Sequence, residues 1–220
     1  TRLQCPYTDS KSKQFWIDQA NGNLPMLALA SLELPNKPIA FTYRDSVHWQ
    51  PLYEAMTGRK GRKLSSSRTM YKKATPEFRQ YVEETIKDAV IVDLFGSGKR
   101  IFGFFNGNPP PTIYLAGLTR PHVQNVTGAR GSKSLEKHNC SFEGPLVDWN
   151  SSGPVFGNND HPSDVAAIQH QAMKVAIEAS KYYPINKDTA QLKYIIDTMC
   201  RKDNFTDLNT PWAQDNFIDQ

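Results

Sequence analysis

The chain has 220 residues, of which 39% are hydrophobic and 22% charged, and its formal net charge is +4. This length suits one domain with a full core and is short for two domains, so we predict a single domain over residues 1–220. No apolar run approaches the roughly 18 residues that a membrane helix needs, and residues 1–10 lack the pattern of a secretory signal, so we expect no membrane partner.

The cysteines and glycosylation sequons bear on location. The three cysteines are odd in number and far apart in sequence, without paired metal-ligand spacing: Cys5, Cys140 and Cys200. This usage favours a reduced, cytoplasmic setting. Four glycosylation sequons would instead suit a secreted protein, and they lie at Asn125, Asn139, Asn150 and Asn204. They are only a mild excess over chance, so the cytoplasmic prediction stands.

The first predicted elements alternate between helix and strand. Helices are predicted over residues 12–20 and 24–30, and two prolines then interrupt the chain. Residues 39–43 form a short predicted strand that ends at Arg44, and a helix follows over residues 47–56 and ends at Gly58.

A basic run comes next, with no acidic residue between Glu54 and Glu77. We predict a loop here, exposing the cations Arg59, Lys60, Arg62, Lys63, Arg68, Lys72 and Lys73. Such a run suits an anionic ligand or a nucleic-acid surface. Aromatic residues are sparse among these cations, which does not favour single-strand binding.

The most informative stretch follows a helix that Thr75 and Pro76 begin. Residues 89–92 are apolar, as in a strand covered on both faces, and Asp93 then falls at its carboxyl end. Gly96, Ser97 and Gly98 leave backbone N–H groups open to an anion. Lys99 and Arg100 begin a predicted helix whose positive end faces the same point. The stretch therefore predicts a phosphate-binding loop.

The second half is less regular. A helix is predicted over residues 99–105 and a strand over residues 112–116, whereas residues 117–157 are polar and suit a lid or an insertion with one strand at 145–149. Apolar stripes predict helices over residues 163–182 and 188–200. The alternation predicts an α/β fold with a mainly parallel sheet flanked by helices, and with helical N- and C-terminal segments.

Residues 92–100 resemble the phosphoribosyl pyrophosphate loop of type I phosphoribosyltransferases. In that loop apolar residues lead to two acids, three variable residues, Ser or Thr, Gly, one residue, and Ser or Thr. Asp93 takes the second acid, and Ser97 and Gly98 match, whereas Val92 and Arg100 depart from the pattern. The resemblance extends to the layout of residues 38–116.

This resemblance implies a role for each matched residue. Asp93 would accept hydrogen bonds from ribose hydroxyls, and the amides of residues 96–100 with the Ser97 hydroxyl would hold the 5'-phosphate. Lys99 or Arg100 would add positive charge. Arg44 and Arg68 would contact a pyrophosphate bridged by Mg²⁺. The implied ligand is a phosphorylated ribose or nucleotide, and the implied reaction is phosphoribosyl transfer or its reverse.

Three alternatives stay open. The departures at Val92 and Arg100 suit a non-catalytic module that senses a ligand or binds a protein. The basic run suits a nucleic-acid-binding protein, in which affinity would depend steeply on salt. A haloacid-dehalogenase-like phosphatase would use Asp93 as its nucleophile, but the position of its second acid holds Phe95.

Overall fold

The computed structural model describes residues 5–117, 123–126, 139–181, 190 and 194. Five strands form a parallel sheet in the order β2-β1-β3-β4-β5: β1 (Ile39–Tyr43), β2 (Arg62–Ser65), β3 (Val90–Gly96), β4 (Thr112–Gly117) and β5 (Val123–Asn125). Two further strands pair antiparallel as a hairpin: β6 (Leu146–Asn150) and β7 (Gly153–Phe156).

Helices cover both faces of the parallel sheet. A π-helical turn (Gln19–Asn23) joins α1 to α2. The helices are α1 (Ser10–Asp18), α2 (Leu24–Glu33), α3 (Trp49–Thr57), α4 (Arg68–Lys73), α5 (Pro76–Ile86), α6 (Lys99–Phe104) and α7 (Ser163–Ser180).

Alternate residues of the strands pack into two different cores. Val90, Val92 and Leu94 of β3 pack with residues of α1, α2, α3 and α7, whereas Ile91 packs with residues of α4, α5 and α6. This alternation is expected for a sheet buried on both faces. The predicted α/β class, a parallel sheet flanked by helices, is confirmed.

Local chemistry explains several element boundaries. The Thr75 hydroxyl accepts a 3.3 Å hydrogen bond from the Phe78 N–H, and Pro76 occupies the first helical position of α5. Gly58 ends α3 in the left-handed conformation, with φ of 69°. The predicted strand over residues 39–43 coincides with β1.

Two predictions around the sheet are corrected. The basic run is not a loop, because it contains β2 and α4. Short elements with few apolar residues give little periodic signal. In β2 and α4 the buried hydrophobic side chains are those of Leu64 and Met70 alone. The strand predicted over residues 89–92 is longer than expected and continues to Gly96. It continues because β3 pairs with β4 up to Gly96, which lies opposite Gly117 of β4.

The second half is described in part. Residues 123–125 of the predicted lid or insertion form β5 of the main sheet, and the predicted strand at 145–149 matches β6 to within one residue. The helix predicted over residues 163–182 corresponds to α7, whereas nearly all of the one predicted over 188–200 lies outside the described residues. No helix in the described parts of the chain is long and apolar enough to span a membrane.

The strand order creates a switch point between β1 and β3. After β1 the chain crosses through α3 on one face to reach β2, and after β3 it crosses through α6 on the other face to reach β4. Neighbouring strands whose connections leave toward opposite faces open a crevice at their carboxyl ends, where sheets of this kind bind ligands.

Candidate ligand-binding cleft

A cleft of about 890 Å³ lies at this switch point. We call it the switch-point cleft. It brings together all eight residues that the sequence singled out: Arg44, Arg68, Asp93, Gly96, Ser97, Gly98, Lys99 and Arg100. Their shared position is a property of the fold, whereas their roles remain predictions. Other residues that line the cleft include Thr42, Asp45, Ser66, Tyr71, Tyr114 and Asp160.

Asp93 belongs to a row of neighbouring residues on adjacent strands of the sheet. Thr42 of β1 lies opposite Leu64 of β2, and Asp93 of β3 lies opposite Tyr114 of β4. The Thr42 hydroxyl donates a 2.7 Å hydrogen bond to Asp93 Oδ1, and the Leu94 N–H donates to the same oxygen at 2.9 Å. These two bonds fix the orientation of the carboxyl group at the point where β3 separates from β1.

The glycine-containing turn lies against Tyr114. A Cβ at Gly96 would approach Tyr114 Cε1 to 3.2 Å, and one at Gly98 would lie 3.6 Å from the Tyr114 hydroxyl. Gly98 also has φ of 70°, which favours glycine. Lys99 and Arg100 are exposed at the start of α6. The turn therefore presents backbone and cations, with little side-chain bulk, to the cleft.

Arg44 lies at the mouth of the cleft and pairs with Asp160. Its guanidinium donates to Asp160 Oδ1, and it approaches the Glu143 carbonyl and Asn159 Oδ1 at 3.5 Å each. Burial raises the pKa of Asp160, but the hydrogen bond and charge of Arg44 outweigh it, so this pKa is lowered. Arg44 thus connects β1 to the segment before α7.

Asp45 is a site residue that the sequence reasoning missed. It lies two residues after the end of β1, lines the cleft and interacts through its side chain with Asp93. Burial raises the pKa of Asp45, while the charges of Arg44 and Arg68 act in the opposite direction. The strand-end argument applied to Asp93 also applies to Asp45, since β1 and β3 end at the same edge.

Tyr71 is a second missed residue. Its hydroxyl is buried and has no hydrogen bond of good geometry within the described part of the chain, although the Ser66 hydroxyl lies near it. Burial and the nearby charges of Asp93 and Asp45 raise the pKa of Tyr71, so its hydroxyl is protonated. No local pattern singles out this tyrosine, because α4 brings it to the cleft from another element.

The β6–β7 hairpin packs beside the cleft. Ser67 Oγ donates a 2.6 Å hydrogen bond to the Leu146 carbonyl, and Lys73 Nζ donates to the Val147 carbonyl at 2.9 Å. The rings of Tyr81 and Trp149 stack with centroids 3.9 Å apart. These contacts join the hairpin to α4 and α5, and they bring Pro145 and Leu146 to the wall of the cleft.

One sequon is built into this region. Asn139 is buried, and its side-chain amide donates a 2.7 Å hydrogen bond to the Asp45 carbonyl. Because this side chain is buried, a glycan on its Nδ2 would have no room unless the residue left its place, so the fold does not favour the use of this sequon.

Most cations of the basic run have partners within the protein. Arg59 donates to Asn36 Oδ1, Arg62 donates to the carbonyls of Thr85 and Lys87, and Lys63 pairs with Glu143 at 2.7 Å. Lys60 and Lys73 also form ion pairs, with Glu54 and Asp148. These contacts occupy the cations within the protein, and the nucleic-acid alternative stays a prediction.

The described residues contain no group of three or more His, Cys, Asp or Glu side chains that could hold a metal ion. Mg²⁺ often enters a site with the phosphates of its ligand and needs only one or two carboxylates from the protein. Asp45, Asp93 and Asp160 are the carboxyl groups of the cleft that could hold such an ion, and the Mg²⁺ stays a prediction.

Fold and cleft together define the class: an α/β protein with a parallel sheet flanked by helices and a charged cleft at its carboxyl edge. Comparison of the chain with protein-family models, with curated proteins and with solved structures found no match.

Proposed function

We propose that the chain binds a phosphorylated ribose or nucleotide-like small molecule in the switch-point cleft. One observation carries this proposal. Arg44 after β1, Arg68 on α4, Asp93 on β3 and the turn at residues 96–100 come from separate parts of the chain and line one cleft. The volume of about 890 Å³ lies within the range of small-molecule sites.

The charges around the cleft suit an anion. The lining includes four cations, Arg44, Arg68, Lys99 and Arg100, and three carboxyl groups, Asp45, Asp93 and Asp160. Arg44 is already paired with Asp160, whereas Lys99 and Arg100 are exposed. Arginine binds phosphate through forked donors, which supports a role for Arg44 and Arg68 at the phosphate groups.

The polar groups near Asp93 suit a sugar. Asp93 is oriented by Thr42, and its carboxylate is an acceptor for hydroxyl donors. The backbone amides of the turn, together with the Ser97 hydroxyl, lie on the same cleft and suit a 5'-phosphate. This division matches the roles that the resemblance to type I phosphoribosyltransferases implies.

The reaction that this resemblance implies is phosphoribosyl transfer or its reverse, with Mg²⁺ bound to the pyrophosphate. Val92 and Arg100 replace an acid and a hydroxyl of the family pattern. These departures support the alternative of a binding module without catalysis. A cytoplasmic location belongs to the same proposal, and the free thiols of Cys5 and Cys140 are compatible with it.

Isothermal titration calorimetry tests the proposal with phosphoribosyl pyrophosphate, a nucleoside monophosphate and inorganic pyrophosphate, each with and without Mg²⁺. We expect saturable binding of at least one of them, with loss of affinity in Arg68→Gln. Lys72→Gln is the matched control, because Lys72 is exposed on the same helix but does not line the cleft. Absence of binding by all three ligands, or equal loss in both variants, would contradict the proposal.

A further inference from the structure

The hydroxyl of Tyr71 is a polar group whose hydrogen bond the fold does not supply. Its oxygen is buried, the residue lines the switch-point cleft, and none of the described residues bonds the hydroxyl with good geometry. Such a group lowers the stability of a fold, because folding removes it from water and gives it no partner in return. A proton donor kept in this condition beside a cleft points to a partner that belongs to the ligand.

The ring of Tyr71 is fixed by two aromatic neighbours. Its centroid lies 5.9 Å from that of Phe78 on α5 and 5.3 Å from that of Phe104 on α6, and both contacts are edge-to-face. Both phenylalanines are buried in the core on this side of the sheet. The hydroxyl is at the end of the ring, so it cannot turn toward solvent unless the ring loses both contacts. Packing therefore holds the donor at the cleft.

The helix that carries Tyr71 directs it toward Arg68. The two residues are three positions apart on α4, which places them on one side of the helix, and both line the cleft. Side chains of a helix lean toward its N-terminus, so that of Tyr71 leans toward the turn that begins with Arg68. The Ser66 hydroxyl, just before that turn, lies near the Tyr71 hydroxyl. Tyr71 thus belongs to the part of the cleft in which Arg68 is proposed to bind phosphate.

We propose that the Tyr71 hydroxyl donates a hydrogen bond to an oxygen of a ligand's pyrophosphate group, beside the Arg68 guanidinium. This inference rests on the proposed function, because it requires a phosphorylated ligand in the switch-point cleft. It adds a binding residue that the sequence pattern does not single out. It also names pyrophosphate as the group that α4 recognises.

The chemistry of the two partners is complementary. Pyrophosphate oxygens accept hydrogen bonds and carry charge, and a bond from a neutral hydroxyl to a charged oxygen is stronger than one between neutral groups. Burial, together with the charges of Asp93 and Asp45, raises the pKa of Tyr71, so the hydroxyl keeps its proton. Tyr71 as a whole is partly exposed, and the side chain of Ser66 changes rotamer readily, so a phosphate oxygen can take the place beside the Tyr71 hydroxyl.

Calorimetry with inorganic pyrophosphate tests this inference in the wild type and in Tyr71→Phe, each with and without Mg²⁺. Phenylalanine keeps the ring and its contacts with Phe78 and Phe104, and it removes only the hydroxyl. We expect the affinity for pyrophosphate to fall by about tenfold or more. The midpoint of urea denaturation should stay at or above that of the wild type, because the hydroxyl that is removed had no well-formed bond.

Tyr81→Phe is the matched control. Tyr81 also packs on Phe78, with centroids 6.2 Å apart, but it does not line the cleft. Its hydroxyl accepts a 2.8 Å hydrogen bond from the Ser65 N–H and donates to the Lys63 carbonyl at 3.1 Å. This variant should therefore show the opposite pattern, a lower midpoint of urea denaturation with unchanged affinity for pyrophosphate.

The outcomes separate this inference from the proposed function. Unchanged affinity in Tyr71→Phe, or equal losses of affinity in both variants, overturns the inference. A lower denaturation midpoint in Tyr71→Phe, or its failure to fold, overturns it as well, because the hydroxyl would then have a structural partner. Wild-type protein that binds a nucleoside monophosphate or phosphoribosyl pyrophosphate but not inorganic pyrophosphate overturns the inference and leaves the proposed function intact. Protein that binds none of the three overturns both.

Discussion

Thr42 Oγ1 donates a 2.7 Å hydrogen bond to Asp93 Oδ1, although the two residues are 51 positions apart. The bond joins β1 to β3 at the point where the two strands separate. It therefore couples the orientation of Asp93 to β1, the strand that Arg44 and Asp45 follow. The first prediction concerns this hydrogen bond.

Thr42→Val should weaken ligand binding more than it weakens the fold. Valine retains the shape of threonine but not its hydroxyl, so Asp93 loses one of the donors that orient it. We expect about 1 kcal/mol less unfolding free energy. Thr112→Val is the control, because Thr112 is equally buried on β4 and donates to the Pro110 carbonyl away from the cleft. Urea denaturation and calorimetry measure the two effects, and equal affinity in both variants would contradict the prediction.

Gly98→Ala should impair binding through the turn. Its φ of 70° strains any other residue, and a Cβ would contact Val123 Cγ2 at 3.4 Å. Gly58→Ala is a matched control, since Gly58 has φ of 69° and open space around a Cβ. Both variants should lose about 1 kcal/mol of unfolding free energy. Only Gly98→Ala should lose affinity in calorimetry, and unchanged affinity there would exclude the turn from the site.

Asp160→Asn should strengthen the binding of inorganic pyrophosphate. Asp160 occupies Arg44 and adds negative charge to the cleft. Its side chain is 55% exposed, so the gain should be modest, about two- to fivefold, as for a surface ion pair. Asp148→Asn is the control, because Asp148 has similar exposure and pairs with Lys73 outside the cleft. Weaker binding in Asp160→Asn would show that Arg44 depends on Asp160 for its orientation.

Stability should fall as the pH is lowered, in part through His48. Burial lowers the pKa of His48 to about 4, and His48 Nε2 lies 2.9 Å from the Cys140 carbonyl, consistent with a hydrogen bond from the neutral ring. Between the ordinary value of 6.5 and about 4, the unfolded chain binds a proton that the folded chain does not. The unfolding free energy contributed by this histidine therefore falls over that range.

His48→Gln should flatten this dependence, because glutamine can still donate to the carbonyl but does not titrate. Lys174→Gln is the control, since Lys174 is exposed on α7, whereas the charge of His170 on the same helix is itself one of the causes that lower the pKa of His48. Urea denaturation at a series of pH values between about 4 and 7 measures the slope. Comparison with the wild type removes the contributions of the carboxyl groups, and an unchanged slope in His48→Gln would disprove the assignment.

Several parts of the fold could be predicted because their signals are local. Three such signals act within a few residues: the apolar run of β1 after Pro38, Thr75 with Pro76 at the start of α5, and Gly58 at the end of α3. The alternation of these elements predicted the parallel sheet. Parallel strands bring their following loops to one edge, so the meeting of Arg44 with Asp93 could also be anticipated.

Other features depended on contacts between distant residues. β2 escaped prediction because an edge strand of four residues with two exposed cations gives little pattern. Asp45 meets Asp93 only because β1 and β3 are neighbours in the strand order, and Arg44 meets Asp160 only because the segment before α7 returns to the cleft.

The sequence by itself determined the α/β class, the acidic residue on a buried strand, and the glycine-containing basic turn, because hydrophobic spacing and turn chemistry act over short distances. The tertiary structure decided the strand order, the length of β3, the carboxyl pair of Asp45 with Asp93, and the buried Tyr71 hydroxyl near it. These depend on which strands pair and which helices pack on each face, and that choice minimises the free energy of the whole chain rather than of any one segment.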